Sequence, residues 1–319
     1  MIVTVTLNPS LDRTIEVDRL ARGCVQRVTA ARLDPGGKGV NVARALLANS
    51  VPALAVLPVA GAEGDQLVAL LKQEGVDGAV VPVLGRTRSN IAIAEADGAV
   101  TKLNEPGASL SADDLEVLAG KVLAVAVPGT WVVLCGSLPP GLQDDAYAIL
   151  THRFVTAGLR VAVDSSGPAL RAAVAAGPEL VKPNADELAE AVGRPLHSRS
   201  AVVDAARELQ QLGARTVLVS LGSDGAILVD EFVVAGESPV DEPRSTVGAG
   251  DALLAGFLAG RSSGMSRREA FAEALAWGAA AVRLPGTRMP GPDDIDRAVV
   301  RILSDPFSAV LTSIAGGES

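Results

Sequence analysis

A chain of 319 residues with 48% hydrophobic side chains can bury a large core and sits near the upper size of one domain. Its formal net charge of -9 repels nucleic acid and anionic membrane surfaces, so neither is expected as a partner, and an anionic ligand needs a locally basic pocket. Two cysteines, Cys24 and Cys135, and two histidines, His152 and His197, match no metal-ligand spacing, and the cysteines fit free thiols in a reducing compartment.

The opening Met-Ile-Val-Thr-Val-Thr-Leu is apolar, has no basic leader and breaks at Asn8-Pro9, which reads as a first strand from Ile2 to Leu7 rather than a signal peptide. From Thr14 to Leu33 the chain is irregular and has no helical face. Gly75 and, later, Gly158 sit where helices would stop. Asn90 to Glu95 and Ala99 to Asn104 are strand candidates joined across Asp97-Gly98, a strong hairpin signal. Together these pieces, residues 12–34 and 86–104, predict a small β-stranded lid over one edge of the main sheet, able to exclude water from a transfer reaction. An antiparallel extension without function explains the hairpin as well.

Further along, Ser111 with Asp114 resembles a capping box ahead of Leu115, Leu118, Val122 and Leu123 on one helical face. Strand-like runs from Trp131 to Cys135, Leu159 to Val163, Glu179 to Val181 and Thr216 to Val219 alternate with helical periods. That alternation predicts right-handed βαβ crossovers: an α/β fold with a mainly parallel central sheet flanked by helices, spanning 1–319 as one domain. No uninterrupted apolar stretch is long enough to cross a bilayer as a helix.

Ser245-Thr246-Val247-Gly248-Ala249-Gly250-Asp251 runs directly into the helical Ala252-Leu253-Leu254-Ala255-Gly256-Phe257. Glycines before a helix let backbone amides approach an anion, and the helix N-terminus adds partial positive charge, so Gly248, Ala249 and Gly250 form a candidate phosphate cradle. Asp251 stands at its mouth, either as a base for an attacking hydroxyl or as an ordinary first-turn acid, and spacing alone does not separate the two. Gly36-Gly37-Lys38-Gly39 is not a Walker A loop, because Arg32 stands where Gly is required and Gly follows Lys38. No G-x-G-x-x-G follows the first strand, which disfavours a dinucleotide-dependent dehydrogenase.

Other candidates are equally double-sided. Asp12 accepts hydrogen bonds from sugar hydroxyls or sits in a turn, and Lys38 and Asn41 reach the same ligand from a helix start or remain local. Arg86, Arg88 and Lys102 flank the hairpin as phosphate-binding cations or as surface charges. On their own, Asn184 with Glu187 reads as a helix cap with its first-turn acid, and Ser220 to Gly225 as a tight turn between strands. Gly136-Ser137 and Asp164-Ser165 close strands at the edge where parallel sheets gather ligands, with Asp164 read as a structural cap.

In chain order, Asn8-Pro9-Ser10-Leu11-Asp12, Gly36-Gly37-Lys38-Gly39-Val40-Asn41-Val42-Ala43-Arg44, Thr87-Arg88-Ser89-Asn90, Gly136-Ser137-Leu138-Pro139, Lys182-Pro183-Asn184, Ser220-Leu221-Gly222 and Gly248-Ala249-Gly250-Asp251 resemble the PfkB family of ribokinase-like sugar kinases over nearly the whole chain. The resemblance implies a ribokinase-like fold, a cytoplasmic location, ATP and Mg²⁺ as cofactors and a sugar phosphate as acceptor. The implied reaction is phosphoryl transfer to C6 of fructose 1-phosphate, giving fructose 1,6-bisphosphate. Transfer to C1 of tagatose 6-phosphate or fructose 6-phosphate is the alternative, and a non-catalytic sugar-phosphate sensor is the alternative of another class. On the same resemblance Asp251 is the general base, and the amides of Gly248, Ala249 and Gly250 stabilise the moving phosphoryl group. Asp12, Gly37, Lys38, Asn41, Arg88, Asn90 and Ser137 contact the sugar phosphate. Lys182, Asn184, Ser220, Gly222 and Gly225 contact ATP, Glu187 organises Mg²⁺ through water, and a homodimer forms through the lid.

Overall fold

Apolar runs buried on both faces make the centre of the fold in the computed structural model, which describes residues 1–307 and 311. The chain opens with β1 (Ile2–Thr6), β2 (Ser10–Val17) and β3 (Ala30–Gly36), followed by α1 (Lys38–Ala48), β4 (Ala53–Val59), α2 (Gly61–Gln73) and β5 (Asp77–Pro82). A hairpin, β6 (Arg88–Glu95) and β7 (Val100–Leu103), precedes α3 (Ala112–Val125), β8 (Trp131–Cys135), α4 (Ala146–Thr156), β9 (Arg160–Asp164), α5 (Gly167–Ala175) and β10 (Leu180–Val181). The remainder runs through α6 (Ala185–Val192), α7 (Arg199–Leu212), β11 (Thr216–Ser220), β12 (Ala226–Val229), β13 (Val233–Glu237), α8 (Ala249–Ser262), α9 (Arg267–Val282) and β14 (Arg301–Ile302).

Ten strands form the large sheet in the order β14-β13-β12-β11-β10-β9-β8-β1-β4-β5, parallel from β11 to β5 and antiparallel from β11 to β14. Every residue of β1 and β8 is buried, which is why both read as unbroken apolar runs rather than alternating ones. Alternation splits their side chains between two cores. Val3 and Val5 pack with Leu118, Tyr147 and Phe154 on one face, while Ile2 packs with Leu46, Phe257 and Trp277 on the other. The expected strands at Leu159 to Val163 and Glu179 to Val181 are seen at Arg160–Asp164 and Leu180–Val181.

A second sheet has the order β3-β2-β6-β7 and holds both irregular stretches of the sequence. β2 lies parallel to β6 and antiparallel to β3, so strands distant in sequence share one register. The β6–β7 turn closes across Asp97-Gly98, with Gly98 at φ 93. Ser111 caps α3 in a reciprocal box with Asp114. Among the described residues no helix is long and apolar enough to cross a membrane.

From β1 the chain builds outward through β4 to one edge, then returns to β8 and builds toward the other. The carboxyl ends of β1 and β8 therefore flank the point where strand order reverses, where a crevice is expected in an open parallel sheet.

Candidate active site

On the small sheet, register puts Asp12 opposite Asn90 and Ser10 opposite Arg88. Asp12 Oδ1 accepts hydrogen bonds from Ser10 Oγ at 2.7 Å and Asn90 Nδ2 at 3.0 Å, so the carboxylate is held before any ligand arrives. A Cβ at Gly36 would lie 2.3 Å from Asp12 Oδ2, and only bare backbone leaves room for the carboxylate. Arg88 Nη2 donates to the Asn8 carbonyl at 2.8 Å, Nη1 reaches the Glu105 carbonyl at 3.5 Å, and Nε is buried without a protein partner. Burial pulls the guanidinium below the usual arginine range, partly offset by Asp12. Asn8 Nδ2 in turn donates to the Pro106 carbonyl at 3.1 Å and approaches Ser137 Oγ, which is exposed, at 3.4 Å.

The glycines around Lys38 have a packing reason. Gly37, the N-cap of α1, has φ 115, and a Cβ there would meet Thr6 Cγ2 at 2.8 Å, while one at Gly39 would meet Thr6 Oγ1 at 2.5 Å. The helix start thus sits on the end of β1. Lys38 Nζ donates to Asp164 Oδ1 at 2.8 Å and to Glu187 Oε1 at 3.1 Å. Lys182 Nζ lies 3.1 Å from Asp164 Oδ2. Burial alone would raise the Asp164 pKa, but Lys182 and Lys38 outweigh it and hold the carboxyl below its ordinary value. Burial would likewise lower Lys38, and Asp164 and Glu187 reverse the sign, keeping the ammonium charged.

Beyond β10, Asn184 forms a parallel bridge with Ser220, and Ser220 N donates to the Pro183 carbonyl at 3.1 Å. This joins Lys182-Pro183-Asn184 to Ser220-Leu221-Gly222. Asn184 Oδ1 accepts from Glu187 N at 2.7 Å and Glu187 Oε2 from Asn184 N at 2.9 Å, a complete capping box on α6. Gly222 starts the short turn between β11 and β12, and Gly225 ends it at φ 88, where a Cβ would lie 2.1 Å from the Gly236 carbonyl. Both plain readings of these motifs therefore hold locally, alongside any ligand role.

At α8 the N-cap is Gly248, at φ 81, and no side chain caps the helix. Its first-turn amides lack intrahelical acceptors, and a Cβ on Gly250 would lie 3.4 Å from Lys182 Nζ. A buried ammonium beside an uncapped helix N-terminus gives two sources of positive charge at one place, a fit for a phosphate group. Asp251, 7% exposed, forms no capping box; its Oδ2 accepts from Asn41 Nδ2 at 2.8 Å. Burial, then the nearby Asp164 charge, push its pKa up to about 6, against the pull of the Asn41 bond and of Lys38 and Lys182.

The structure thus joins these residues in three groups: Asp12 with Asn90 on the small sheet, Asn41 with Asp251 between α1 and α8, and Lys38, next to Gly37, with Glu187 and, through Asp164, with Lys182. It sets Arg86 apart, ion-paired to Glu63 with a side chain 70% exposed, and Lys102 is exposed on β7. Sequence reasoning missed Asp164 as the shared anion of two lysines, although its place at a strand end was visible. Tyr147, whose hydroxyl donates to the Cys135 carbonyl at 2.8 Å and steadies the end of β8, carried no signal beyond being the chain's one tyrosine.

Comparison with known proteins decides the class. The pfkB family carbohydrate kinase pattern matches residues 5–294. This chain belongs to the pfkB family of carbohydrate kinases. It is 40% identical over 297 residues to a 1-phosphofructokinase of Rhodobacter capsulatus, covering 92% of this chain and 93% of that one. It is 39% identical over 300 residues to the ATP-dependent 6-phosphofructokinase isozyme 2 of Escherichia coli, covering 93% and 97%. The crystal structure of Escherichia coli phosphofructokinase-2 in complex with substrates and products superposes with a TM-score of 0.87 at 39% identity, over 92% of this chain and 96% of that one. The fold is ribokinase-like, as the pfkB motifs imply.

Proposed function

We propose that this pfkB kinase transfers the γ-phosphoryl group of ATP to the C6 hydroxyl of fructose 1-phosphate, yielding fructose 1,6-bisphosphate in the cytoplasm. The observation that carries the reading is the position of Asp251, a buried carboxylate in the first turn of an uncapped helix, bonded to Asn41 of α1 and within the field of the Lys38 and Lys182 ammonium groups. Asn41 occupies Oδ2 and leaves Oδ1 for the substrate hydroxyl. With a pKa raised to about 6, the carboxylate is ionised at neutral pH yet more basic than an ordinary aspartate, as a general base requires.

Asp12 and Asn90 orient the sugar hydroxyls, and Arg88, Lys38 and Ser137 receive its phosphate end. Lys182, Asn184, Ser220 and the turn from Gly222 to Gly225 receive the nucleotide. The amides of Gly248, Ala249, Gly250 and Asp251 face the charge that builds on the transferring group, and Lys182 adds to their field. Because such a transition state is loose, this placement contributes more than the base alone.

No group of three His, Cys, Asp or Glu side chains suited to a metal exists among the described residues. One carboxylate, Glu187, fits Mg²⁺ held through water and nucleotide oxygens. When bound, Mg²⁺ neutralises phosphate charge. The β3-β2-β6-β7 sheet acts as a lid, and the exposed Val25 and Val28 in its β2–β3 connection, with Val100 and Leu103 on β7, suit a homodimer contact that light scattering would test.

The relationship to the Escherichia coli 6-phosphofructokinase supports a second reading, transfer to C1 of fructose 6-phosphate or tagatose 6-phosphate. A ketofuranose has exocyclic carbons at both ends, so one phosphate clamp and one base serve either orientation. Comparing kcat/KM for fructose 1-phosphate, fructose 6-phosphate, tagatose 6-phosphate and free sugars decides between them. Absence of ADP release with every sugar phosphate would instead leave a sensor.

A further inference from the structure

Asn41 is held from behind as well as in front. On the side away from Asp251, Arg44 Nη1 donates to Asn41 Oδ1 at 3.3 Å and to the Thr287 carbonyl at 3.1 Å. The remaining guanidinium edge pairs with Glu74 at the end of α2, Nε to Oε2 at 2.5 Å and Nη2 to Oε1 at 2.9 Å. Arg44 is 7% exposed, so this fork is fixed by packing as well as by charge.

Arginine is only a donor, and an ionised aspartate only an acceptor. An asparagine between them has a single orientation that satisfies both: oxygen toward Arg44, NH₂ toward Asp251. We propose that Arg44 is a positioning residue for catalysis, which fixes the Asn41 side-chain amide so that it donates to Asp251 and keeps the base ionised. Without Arg44 the amide is free to turn over and present its oxygen, which favours the protonated acid instead.

The other groups facing Asp251 are Lys38 from α1, Asp164 at the end of β9, Lys182 after β10 and Cys135 at the end of β8. Among the described residues none of them bonds to Arg44, whose one ion-pair partner there is Glu74. Removing Arg44 therefore changes the Asn41 amide while leaving these four groups in place, and the charge lost with Arg44 is one that Glu74 already pairs.

The inference rests on Asp251 being the base. The test is the pH dependence of kcat at saturating MgATP and sugar phosphate in wild type, Arg44→Met and Glu74→Gln. Ligand titrations are common to all three. In Arg44→Met the acidic limb should move up by about one pH unit, the size expected for loss of a hydrogen bond to a carboxylate. KM should change little. Glu74→Gln, which removes the outer anchor but keeps the donor facing Asn41, should lower Tm and leave the limb in place.

An unmoved limb in Arg44→Met overturns the proposal, as does an equal movement in both variants, since the limb would then follow stability alone. If Arg44→Met does not fold, Arg44→Ala decides. Water filling the space can donate or accept and does not fix the amide, so a raised limb supports the relay and a wild-type limb refutes it. Full kcat in Asp251→Asn would remove the base itself. An inactive Asp251→Asn with an unmoved Arg44→Met limb would remove only the relay.

Discussion

Lys38 Nζ sits 2.8 Å from Asp164 Oδ1, tying the first turn of α1 to the carboxyl end of β9 across 126 residues of sequence. The same ammonium holds Glu187 Oε1, so one cation bridges the sugar and nucleotide sides proposed above. Lys38→Met should have opposite effects on the two ligands. Sugar-phosphate affinity should fall, because a cation is lost, while the Mg²⁺ concentration for half-maximal rate should drop, because Glu187 is released from its ion pair. Glu187→Gln should raise that Mg²⁺ requirement by removing the charge. Its capping bond to Asn184 N survives in Gln, so folding should be spared. Mg²⁺ titrations that move the same way in both variants would break this picture.

Gly36→Ala is the sharpest steric test of the sugar side. The new Cβ would fall 2.3 Å from Asp12 Oδ2, and the carboxylate must leave its bonds to Ser10 and Asn90. Calorimetry should show weaker sugar-phosphate binding by about tenfold or more with ATP binding unchanged, in line with loss of a charged hydrogen bond. Equal loss for both ligands would point to general damage at the junction of β3 and α1.

What the sequence made legible follows burial. β8 was readable to the residue because both its faces are covered, leaving a continuous apolar run between breaks. β2 and β3 were not, since most of their residues are partly or fully exposed and β2 takes its second partner, β6, from a distant segment. Local patterns exposed the glycine turns and caps, whose partners lie within a few residues. Asp164 looked like any strand-end acid, because Lys38 and Lys182 converge on it only through the sheet order. Arg44 was visible within its motif, but its bond to the Thr287 carbonyl spans 243 residues and could not be read locally. Arg86, a cation beside the hairpin, turns instead to Glu63 on α2, 23 residues away.

Arg88→Ala should weaken sugar-phosphate binding and spare ATP. Its Nη2 braces the Asn8 carbonyl while Nε is buried without a protein acceptor, so a guanidinium donor remains available for an anion. A charge-assisted contact is worth about 1.5 to 3 kcal/mol, roughly ten- to a hundredfold in affinity. Unchanged affinity in calorimetry would assign Arg88 to holding the Asn8 loop alone.

Asp251→Asn separates chemistry from binding and carries a stability signature of definite sign. The amide keeps the size and can still accept from Asn41, but it takes no proton, so kcat should fall by about 10² to 10⁴-fold with near-normal ligand affinities. In the folded protein the Asp251 pKa is raised from 3.8 to about 6, so the native state binds this proton more tightly than the unfolded chain. Stability therefore falls as pH rises through that window, and above it the whole cost of the buried charge is present. The variant, which has no charge to bury, should melt a few degrees above wild type at pH values above about 6, and the gap should shrink as pH falls toward the ordinary aspartate value. Scanning calorimetry across that range, run beside the rate measurements, checks both halves. A variant with wild-type kcat defeats the base assignment, and a gap that widens at low pH defeats the raised pKa.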